Sequence, residues 1–370
     1  MIGEPERRLP FLDFLRAIAV LLVINQHMAA AFGKHMGTNK YTDAWLTRNG
    51  WIGVDLFFVL SGFFIGSQLW KELKSTGTVS VRNFVIRRGL RIWPLYFFVF
   101  VVVFITAHGA PTKQHGWTDL VFISNYVNHG IVQGSWSLCS EEQFYIITPV
   151  VLLFFANWTM RRYRIGLMFL LTTLVVIRVL TYIHLAGHLF VRNPVAFAKL
   201  YSPFHTHCDG LIVGLFIANL AIEQGKVGAI WKRPALVSIV ALGIFVLMGR
   251  IQPETLGFLG LALLFGALVW WGRALQAIFF RLRLFYWLSR LSFGMYLNHE
   301  YMQSWVLVQM SRRSGVFGSH PTLSTASCVL LLTIVSMSLS AVTYLLVEHP
   351  FLVLRTSILR RKVAAPLVAR

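Results

Sequence analysis

The sequence predicts an all-α, polytopic integral membrane helix bundle of about ten transmembrane helices. Of its 370 residues, 56% are hydrophobic and 13% are charged, and the mean hydropathy is +0.64. Apolar runs of about 20 residues, long enough to cross a bilayer as helices, recur along the chain. This balance excludes a large soluble domain and predicts a single membrane domain, 1–370, with a basic cytoplasmic tail at 353–370.

Ten spans follow from the apolar runs. They cover about 10–32, 51–70, 92–108, 136–157, 165–185, 204–222, 234–249, 255–272, 288–310 and 325–347. With the N-terminus inside, the cytoplasmic segments contain 23 Lys and Arg residues and the outer segments contain 9. The positive-inside rule therefore predicts that both termini are cytoplasmic. The net charge of +20 is then a topology signal, and no nucleic-acid partner is expected. The N-terminal segment lacks a signal-peptide pattern.

The first span carries three ionisable residues on one face. Arg16 and His27 are eleven residues apart, so on a helix their directions differ by only about 20° and they lie about 16 Å apart. Asp13 lies within about 40° of the same line. A charged group at mid-membrane costs about 2.5–3.5 kcal/mol, which favours a protein-lined cavity over lipid. The alternative places Asp13 and Arg16 at the membrane edge and His27 against a neighbouring helix.

Four acidic residues and one serine are expected at the depth of His27, towards the outer leaflet. The residues at this depth are Asp55 in the second span, Ser137, Glu141 and Glu142 in the fourth, and Asp209 in the sixth. A histidine with a carboxylate partner is the usual apparatus for taking a proton from a hydroxyl and returning it to a leaving group. Each acid alone is also consistent with a helix N-cap or a solvated edge group. Their common depth favours a catalytic site.

The ionisable residues at the inner end of the predicted bundle are basic rather than acidic. Arg88 and Arg91 share a helix face at the start of the third span, and Arg16 lies near the inner edge of the first. The guanidinium fork binds phosphate oxygens in pairs, which favours a phosphorylated ligand. Ordinary positive-inside anchoring is the alternative. In the second span, Gly53, Gly62 and Gly66 predict close helix approach or a narrow channel.

Other polar groups give weaker signals. His299 and Glu300 fall in the ninth span, but adjacent positions point in different directions, so only one is expected to face a cavity. The segment HTHCD has no distant partner ligands, and no metal site is predicted. The cysteines fit no zinc or redox spacing, and Cys139 and Cys208 are interpreted as unrelated small residues rather than as a disulfide.

A series of motifs gives the chain a family resemblance. In chain order they are LDFLRAIAVLLVINQH, GVDLFFVLSGFFIG, RRGLRIWPLY, WSLCSEEQFY, CDGLIVGL, LSFGMYLNHE and VEHPF. The ordered set resembles the acyltransferase-3 family of membrane acyltransferases and spans about residues 10–352. Members often have Ser-Val where this chain has Cys139-Ser140, and an arginine where it has His207. No appended periplasmic hydrolase-like domain is expected.

The resemblance implies roles for individual residues. His27 matches the catalytic histidine of the family, and Arg16 matches its motif partner. Arg88 and Arg91 match the paired arginines associated with the acyl donor. Asp55, Ser61 and Glu141 stand at matching functional positions of the other motifs.

The resemblance and the two polar layers together predict a membrane O-acyltransferase. Acetyl-CoA, or another acyl-CoA, is the expected donor, held by arginines at the cytoplasmic face. The expected acceptor is a hydroxyl of a cell-surface or lipid-linked glycan arriving from outside. His27, oriented by Asp55 or Glu141, is expected to act as general base, with Ser61 or backbone donors stabilising the oxyanion. The expected location is the bacterial cytoplasmic (inner) membrane, among its lipids.

Three alternatives remain open from the sequence. The acyl group is carried transiently by His27, Ser137 or Cys139 in a two-step reaction. The acceptor is a small hydroxylated metabolite or antibiotic rather than a glycan. In a different class, the protein is a transporter or flippase whose polar residues line a substrate path.

Overall fold

The computed structural model describes residues 9–106, 115–127, 130–187, 193–224, 253–272, 282–312 and 320–364. All regular structure in these ranges is helical. The helices of 15 residues or more are α1 (Pro10–Met36), α2 (Ile52–Thr76), α3 (Val81–Thr106), α4 (Ser135–Phe154), α5 (Met160–Ala186), α6 (Asp209–Gln224), α7 (Phe258–Gly272), α8 (Arg283–Ser311), α9 (Pro321–Thr343) and α10 (His349–Ala364). Shorter elements are Lys40–Asp43, Trp45–Arg48, Trp117–Leu120, Ser124–Val127, Pro194–Tyr201, the 3₁₀ turn Phe204–Thr206, and the π-helical turns Pro253–Gly257 and Tyr344–Glu348.

The prediction of a helical membrane protein is confirmed. Nine predicted spans overlap described helices, with different bounds, and the span at 234–249 lies outside the described residues. Within the described part of the chain, six helices are long and apolar enough to cross a membrane. These are Pro10–Met36, Ile52–Thr76, Val81–Thr106, Met160–Ala186, Glu254–Gly272 and Pro321–Ile358. The predicted tail at 353–370 begins inside α10, which packs against α3.

One compact unit comprises Met1–Val23, Trp51–Thr78 and Phe155–Arg290. Its centre is the contact between α2 and α6, where two backbones touch because glycine leaves room. A Cβ on Gly62 would lie 2.1 Å from the Leu211 carbonyl oxygen, and one on Gly214 would lie 2.2 Å from that of Val59. The indole of Trp70 donates to the Leu215 carbonyl across the same contact. The predicted close approach of the glycine-bearing span is confirmed.

The second compact unit comprises Ile24–Gly50, Val79–Phe154 and Leu291–Arg370. Its apolar core joins α3, α4 and α8 through Leu95, Val99, Leu138 and Leu297. A buried carboxylate, Asp119, fixes the segment that leads into α4.

Asp119 gathers four donors from nearby segments. Its Oδ1 accepts from the Tyr96 hydroxyl at 3.1 Å and the Ser135 hydroxyl at 3.0 Å. Its Oδ2 accepts from the backbone N–H groups of Ile131 and Val132. A carboxylate saturated in this way holds the residues before α4 in one conformation. It thereby fixes where α4 begins.

The segment between α1 and α2 is tied back to α1 beside His27. The Tyr41 hydroxyl donates to Asn25 Oδ1 at 2.6 Å, and Asn25 Nδ2 donates to Thr47 Oγ1. Asn39 caps the short helix Lys40–Asp43 and donates to Thr325 Oγ1 of α9 at 2.9 Å. These bonds fix the C-terminal part of α1, which carries His27.

Candidate active site

His27 is the centre of a cluster in the second unit. Its Nδ1 lies 2.8 Å from His299 Nε2 and 3.0 Å from Glu300 Oε1. His299 is buried, whereas 35% of the His27 side chain is exposed. The carboxylate that contacts His27 is therefore Glu300. One edge of the His27 ring is held by protein and part of the ring remains accessible.

The hydrogen bonds of His299 determine which ring nitrogen of His27 carries the proton. His299 Nδ1 lies 2.7 Å from the Tyr296 carbonyl oxygen, which can only accept, so this nitrogen carries a proton. In a neutral His299, Nε2 is then the acceptor. The two rings meet edge to edge, since their planes differ by 24° and their centroids are 5.0 Å apart. His27 Nδ1–H donates towards His299 and Glu300, which leaves His27 Nε2 as the basic nitrogen.

His299 and Glu300, which are adjacent residues of α8, thus both contact His27 Nδ1. The expectation that only one of His299 and Glu300 would face the site does not hold. Their Cα–Cβ directions differ by about 100°, but the three rotatable bonds of glutamate let Glu300 reach back to His27. From the sequence, His299 and Glu300 rank as weak candidates. The general rule that ionisable residues within an apolar span mark a functional site would rank them higher.

The turn before α4 forms one wall of this cluster. Gly134 has φ +71°, and a Cβ there would lie 3.3 Å from Glu300 Oε1. The Tyr296 hydroxyl donates to the Gly134 carbonyl at 3.1 Å and lies 2.7 Å from Ser137 Oγ. Ser137 is therefore brought to the helix that carries His299 and Glu300. Sequence reasoning missed Tyr296 and Asp119, because neither belongs to an ionisable stripe.

The two glutamates of α4 have other partners. Glu141 accepts from the Tyr145 hydroxyl at 2.5 Å, and Glu142 accepts from the Trp93 indole at 3.0 Å. The Arg88 guanidinium lies over the Tyr145 ring, 5.6 Å from its centroid, and interacts electrostatically with both glutamates. These groups link α3 and α4 in a second polar cluster.

The predicted arginine pair is split between two environments. Arg88 Nε is buried and has no hydrogen-bond partner among the described residues. Arg91 is exposed on the same helix. A buried donor without a partner is costly, so Arg88 has unused capacity to bind an anion.

In the first unit, Asp55 is paired with a histidine. Its Oδ1 lies 3.0 Å from His207 Nε2, and both side chains are buried. His207 Nδ1 donates to the Tyr201 carbonyl at 2.7 Å. His207 Nδ1 therefore carries a proton. The contact between His207 Nε2 and Asp55 Oδ1 requires a second proton, which is bound either to Nε2 or to the carboxyl group. Asp55 Oδ2 is buried without a partner in the described part of the chain.

Asp209 forms a buried ion pair with Arg178. The guanidinium binds both carboxylate oxygens, at 2.5 and 3.0 Å, and also donates to the carbonyls of Thr206 and Thr255. Asp209 and His207 of the HTHCD segment are therefore occupied by hydrogen bonds. The three cysteines are free and buried.

The remaining predicted site residues also lie in the first unit. Asp13 accepts from the Ser289 hydroxyl at 3.0 Å. The Arg16 guanidinium lies over the Phe64 ring, 5.3 Å from its centroid. Ser61 is buried within α2. The periodicity argument that aligned Asp13, Arg16 and His27 agrees with one continuous helix, α1.

Comparison with known proteins identifies the family. The family model described as "Acyltransferase domain" matches residues 9–345. A Staphylococcus aureus (strain COL) protein named "Putative O-acetyltransferase SACOL0978" is 31% identical over 232 residues, 58% of this chain and 35% of that protein. Peptidoglycan O-acetyltransferase OatA of Listeria monocytogenes serovar 1/2a (strain ATCC BAA-679 / EGD-e) is 32% identical over 168 residues, 40% of this chain and 25% of OatA.

The alignments thus span about a third or less of the length of these relatives. No solved structure matches the chain. The match to the family model, in contrast, extends over nearly the whole sequence and includes all the motifs that contribute residues to the His27 cluster. The chain belongs to the acyltransferase-3 family of membrane-embedded acyltransferases.

Proposed function

We propose that this protein is a membrane O-acetyltransferase that moves an acetyl group from acetyl-CoA to a hydroxyl, with His27 as the general base. The observation that carries the proposal is the state of the His27 ring. Its Nδ1 is held by Glu300 and His299, and the described residues leave Nε2 without a hydrogen bond. A partly exposed, oriented imidazole with a carboxylate behind it is the arrangement that general base catalysis needs.

The proposed reaction proceeds in one transfer step. His27 Nε2 removes the proton of the acceptor hydroxyl while the hydroxyl oxygen attacks the thioester carbonyl carbon. The imidazolium formed is stabilised by the Glu300 carboxylate, 3.0 Å from Nδ1. When the C–S bond breaks, His27 returns the proton to the thiolate of CoA. The products are the O-acetyl ester and CoA-SH, and His27 regains its initial protonation state.

The proposed donor site is the arginine-rich inner end of α3. CoA carries phosphate groups, which guanidinium groups bind by charge-assisted hydrogen bonds. Arg91 is exposed, and Arg88 has a buried Nε without a partner among the described residues, which supports anion binding there. Arg16 is a further candidate for the donor, near the inner end of α1. Another acyl-CoA of similar charge would use the same groups.

The proposed acceptor is a glycan at the cell surface or on a lipid carrier. A relative that bears the name peptidoglycan O-acetyltransferase supports this class. A small hydroxylated metabolite or antibiotic remains the second candidate, since deprotonation by His27 does not itself distinguish one hydroxyl from another. We place the protein in the bacterial cytoplasmic membrane, with both termini inside.

His27→Ala tests the proposal, and His35→Ala is its matched control. His35 is exposed at the end of the same helix, so its loss should leave activity unchanged. Mass spectrometry measures O-acetyl groups on surface glycans and small metabolites from a deletion strain restored with wild type or either variant. We expect acetylated product with wild type and His35→Ala, and none with His27→Ala at equal membrane abundance. Full acetylation by His27→Ala would contradict the assignment.

The alternatives predict different products. A transporter would move its substrate across vesicle membranes without acetyl-CoA, whereas the proposed enzyme requires the donor. An acyl-enzyme would retain label from acetyl-CoA when no acceptor is present. Cys139 is unfavourable as an acyl carrier, since it is fully buried with its Sγ 3.1 Å from Ser124 Oγ.

A further inference from the structure

We propose that His27, His299 and Glu300 also form a binding site for one Zn²⁺ ion, and that the bound ion inhibits acyl transfer. No metal site is predicted from the sequence, in which these three residues stand out only as ionisable groups within apolar spans. The inhibitory part rests on the proposed function, whereas the binding part rests on the positions of the ligand atoms alone.

The three ligand atoms already lie at nearly the separation that zinc requires. His27 Nδ1, His299 Nε2 and Glu300 Oε1 are within 4.8 Å of one another. The individual separations are 2.8 Å, 3.0 Å and 4.0 Å. Ligand atoms bound tetrahedrally to zinc at about 2.0–2.1 Å lie about 3.4 Å apart. Changes of about 0.6 Å in two of these separations, with the two rings tilted so that their lone pairs converge, would admit the ion, and a fourth position would remain for water.

The surroundings of His299 are those of a metal-binding histidine. Its other nitrogen, Nδ1, donates to the Tyr296 carbonyl at 2.7 Å, which fixes the ring and presents the Nε2 lone pair. Metal-ligating histidines usually have such a partner. Gly134 keeps space beside Glu300, because a Cβ there would lie 3.3 Å from Oε1. The site is thus supported by residues outside the three ligands.

The donor set selects the class of ion. Two imidazole nitrogens with one carboxylate suit Zn²⁺ and neighbouring divalent transition metals, whereas Mg²⁺ and Ca²⁺ prefer oxygen ligands throughout. Zinc needs no redox partner and is therefore the ion to test first.

Coordination would disable the base. A neutral imidazole bound to zinc through Nδ1 carries its proton on Nε2. On binding, His27 therefore exchanges its Nδ1 proton for the ion and carries the proton on Nε2 instead, so its net protonation does not change. With Nε2 protonated, His27 can no longer accept the proton of an acceptor hydroxyl. Zinc and catalysis exclude each other at this ring.

The binding test uses the purified full-length protein in detergent without acyl donor. The protein is treated with a chelator, incubated with zinc sulfate alone and desalted, and retained zinc is counted by mass spectrometry. We expect one zinc per chain for wild type, at least about tenfold weaker retention for His299→Ala and Glu300→Gln, and full retention for His320→Ala. His320 is an exposed histidine at the start of α9 and serves as the matched control.

Glu300→Gln preserves side-chain size, so it keeps the test valid if His299→Ala fails to fold. Co²⁺ provides a second readout, since its visible absorption reports the ligand set. We expect a Co²⁺ spectrum in wild type that changes in Glu300→Gln. Equal zinc retention by wild type and both ligand variants would overturn the site, as would equal loss in His320→Ala.

The inhibitory part is tested in membrane vesicles that contain the native acceptor and labelled acetyl-CoA. We expect zinc to suppress transfer and a chelator to restore it. Bound zinc that leaves the rate unchanged, or raises it, would overturn inhibition. Zinc binding by a protein that transfers no acetyl group in its zinc-free form would contradict the proposed function and leave the metal site intact.

Discussion

At the scale of the residue, the arrangement around His27 Nδ1 separates two tasks. His299 Nε2 is a neutral acceptor at 2.8 Å, and Glu300 Oε1 is a charged one at 3.0 Å. Either group alone fixes the tautomer that leaves Nε2 basic. In the proposed mechanism, only the carboxylate would stabilise the positive charge on His27 after it takes a proton.

Glu300→Gln is therefore predicted to slow transfer more than it weakens donor binding. The amide oxygen still accepts from Nδ1–H, and His299 still holds the tautomer, so the ring stays in place. Loss of the charge should lower kcat by about 10²-fold, within the range typical of acid–base groups, with the KM for acetyl-CoA nearly unchanged. Initial rates with labelled acetyl-CoA in membrane vesicles measure both constants.

Asp43→Asn is the matched control for Glu300→Gln. Asp43 pairs with Arg48 at 2.6 Å on the surface, and an exposed pair of this kind contributes about 0–1 kcal/mol. Its rate should equal that of wild type. An unchanged kcat in Glu300→Gln would show that the carboxylate does not stabilise the imidazolium.

Some features of the site could be predicted from the sequence, and others could not. Helical periodicity aligned Arg16 and His27 on α1, because direction around a helix depends only on sequence separation. The same rule misjudged Glu300, because a long side chain can depart from the direction of its Cβ. The partner of Asp55 was also beyond reach, since His207 lies 152 residues away in the sequence.

At the scale of the element, the contact between α2 and α6 depends on the absence of side chains. Gly62 and Gly214 each leave space that a carbonyl oxygen of the facing helix occupies. The glycine spacing of the second span predicted a close approach, but the sequence did not identify the partner helix. Packing partners of apolar helices depend on shape in three dimensions, which a hydropathy pattern does not contain.

Gly214→Ala is predicted to destabilise the protein. The new Cβ would lie 2.2 Å from the Val59 carbonyl oxygen, so the helices must move apart, at a cost of about 1–3 kcal/mol. Thermal unfolding in detergent, followed by intrinsic fluorescence, should show a Tm lower by several degrees. Gly33→Ala is the control, because its nearest neighbour would lie 3.7 Å away and alanine favours helix. Equal Tm values for the two variants would refute the packing argument.

At the scale of the whole molecule, the distribution of charge predicts a direction for the reaction. The predicted cytoplasmic segments carry 23 of the 34 Lys and Arg residues. The arginines proposed to bind the donor are predicted to lie at or near this same side of the membrane. Acetyl-CoA cannot cross a bilayer unaided because its phosphates are charged. Because the positive-inside rule makes the basic side cytoplasmic, it is the side from which we expect the proposed donor to arrive.

Sealed proteoliposomes test this direction. Acetyl-CoA added outside should drive transfer only from molecules whose termini face outward, as determined by protease access to terminal tags. Permeabilising the vesicles should about double the rate for a randomly oriented preparation, since each orientation is half of the total. A rate that does not depend on permeabilisation would contradict a one-sided donor site.

The hydrogen bonds of Asp119 imply an order of assembly during synthesis. The four groups that donate hydrogen bonds to Asp119 lie 12 to 23 residues away in the sequence. These hydrogen bonds close only short loops, so they can form as soon as α3 and the start of α4 exist. The contact between His27 and His299 spans 272 residues and must wait for α8. The nascent chain therefore acquires the wall of the site early, whereas the contact that orients His27 forms only late. In the proposed reaction, a partly made protein would therefore carry no oriented imidazole with which to deprotonate an acceptor hydroxyl.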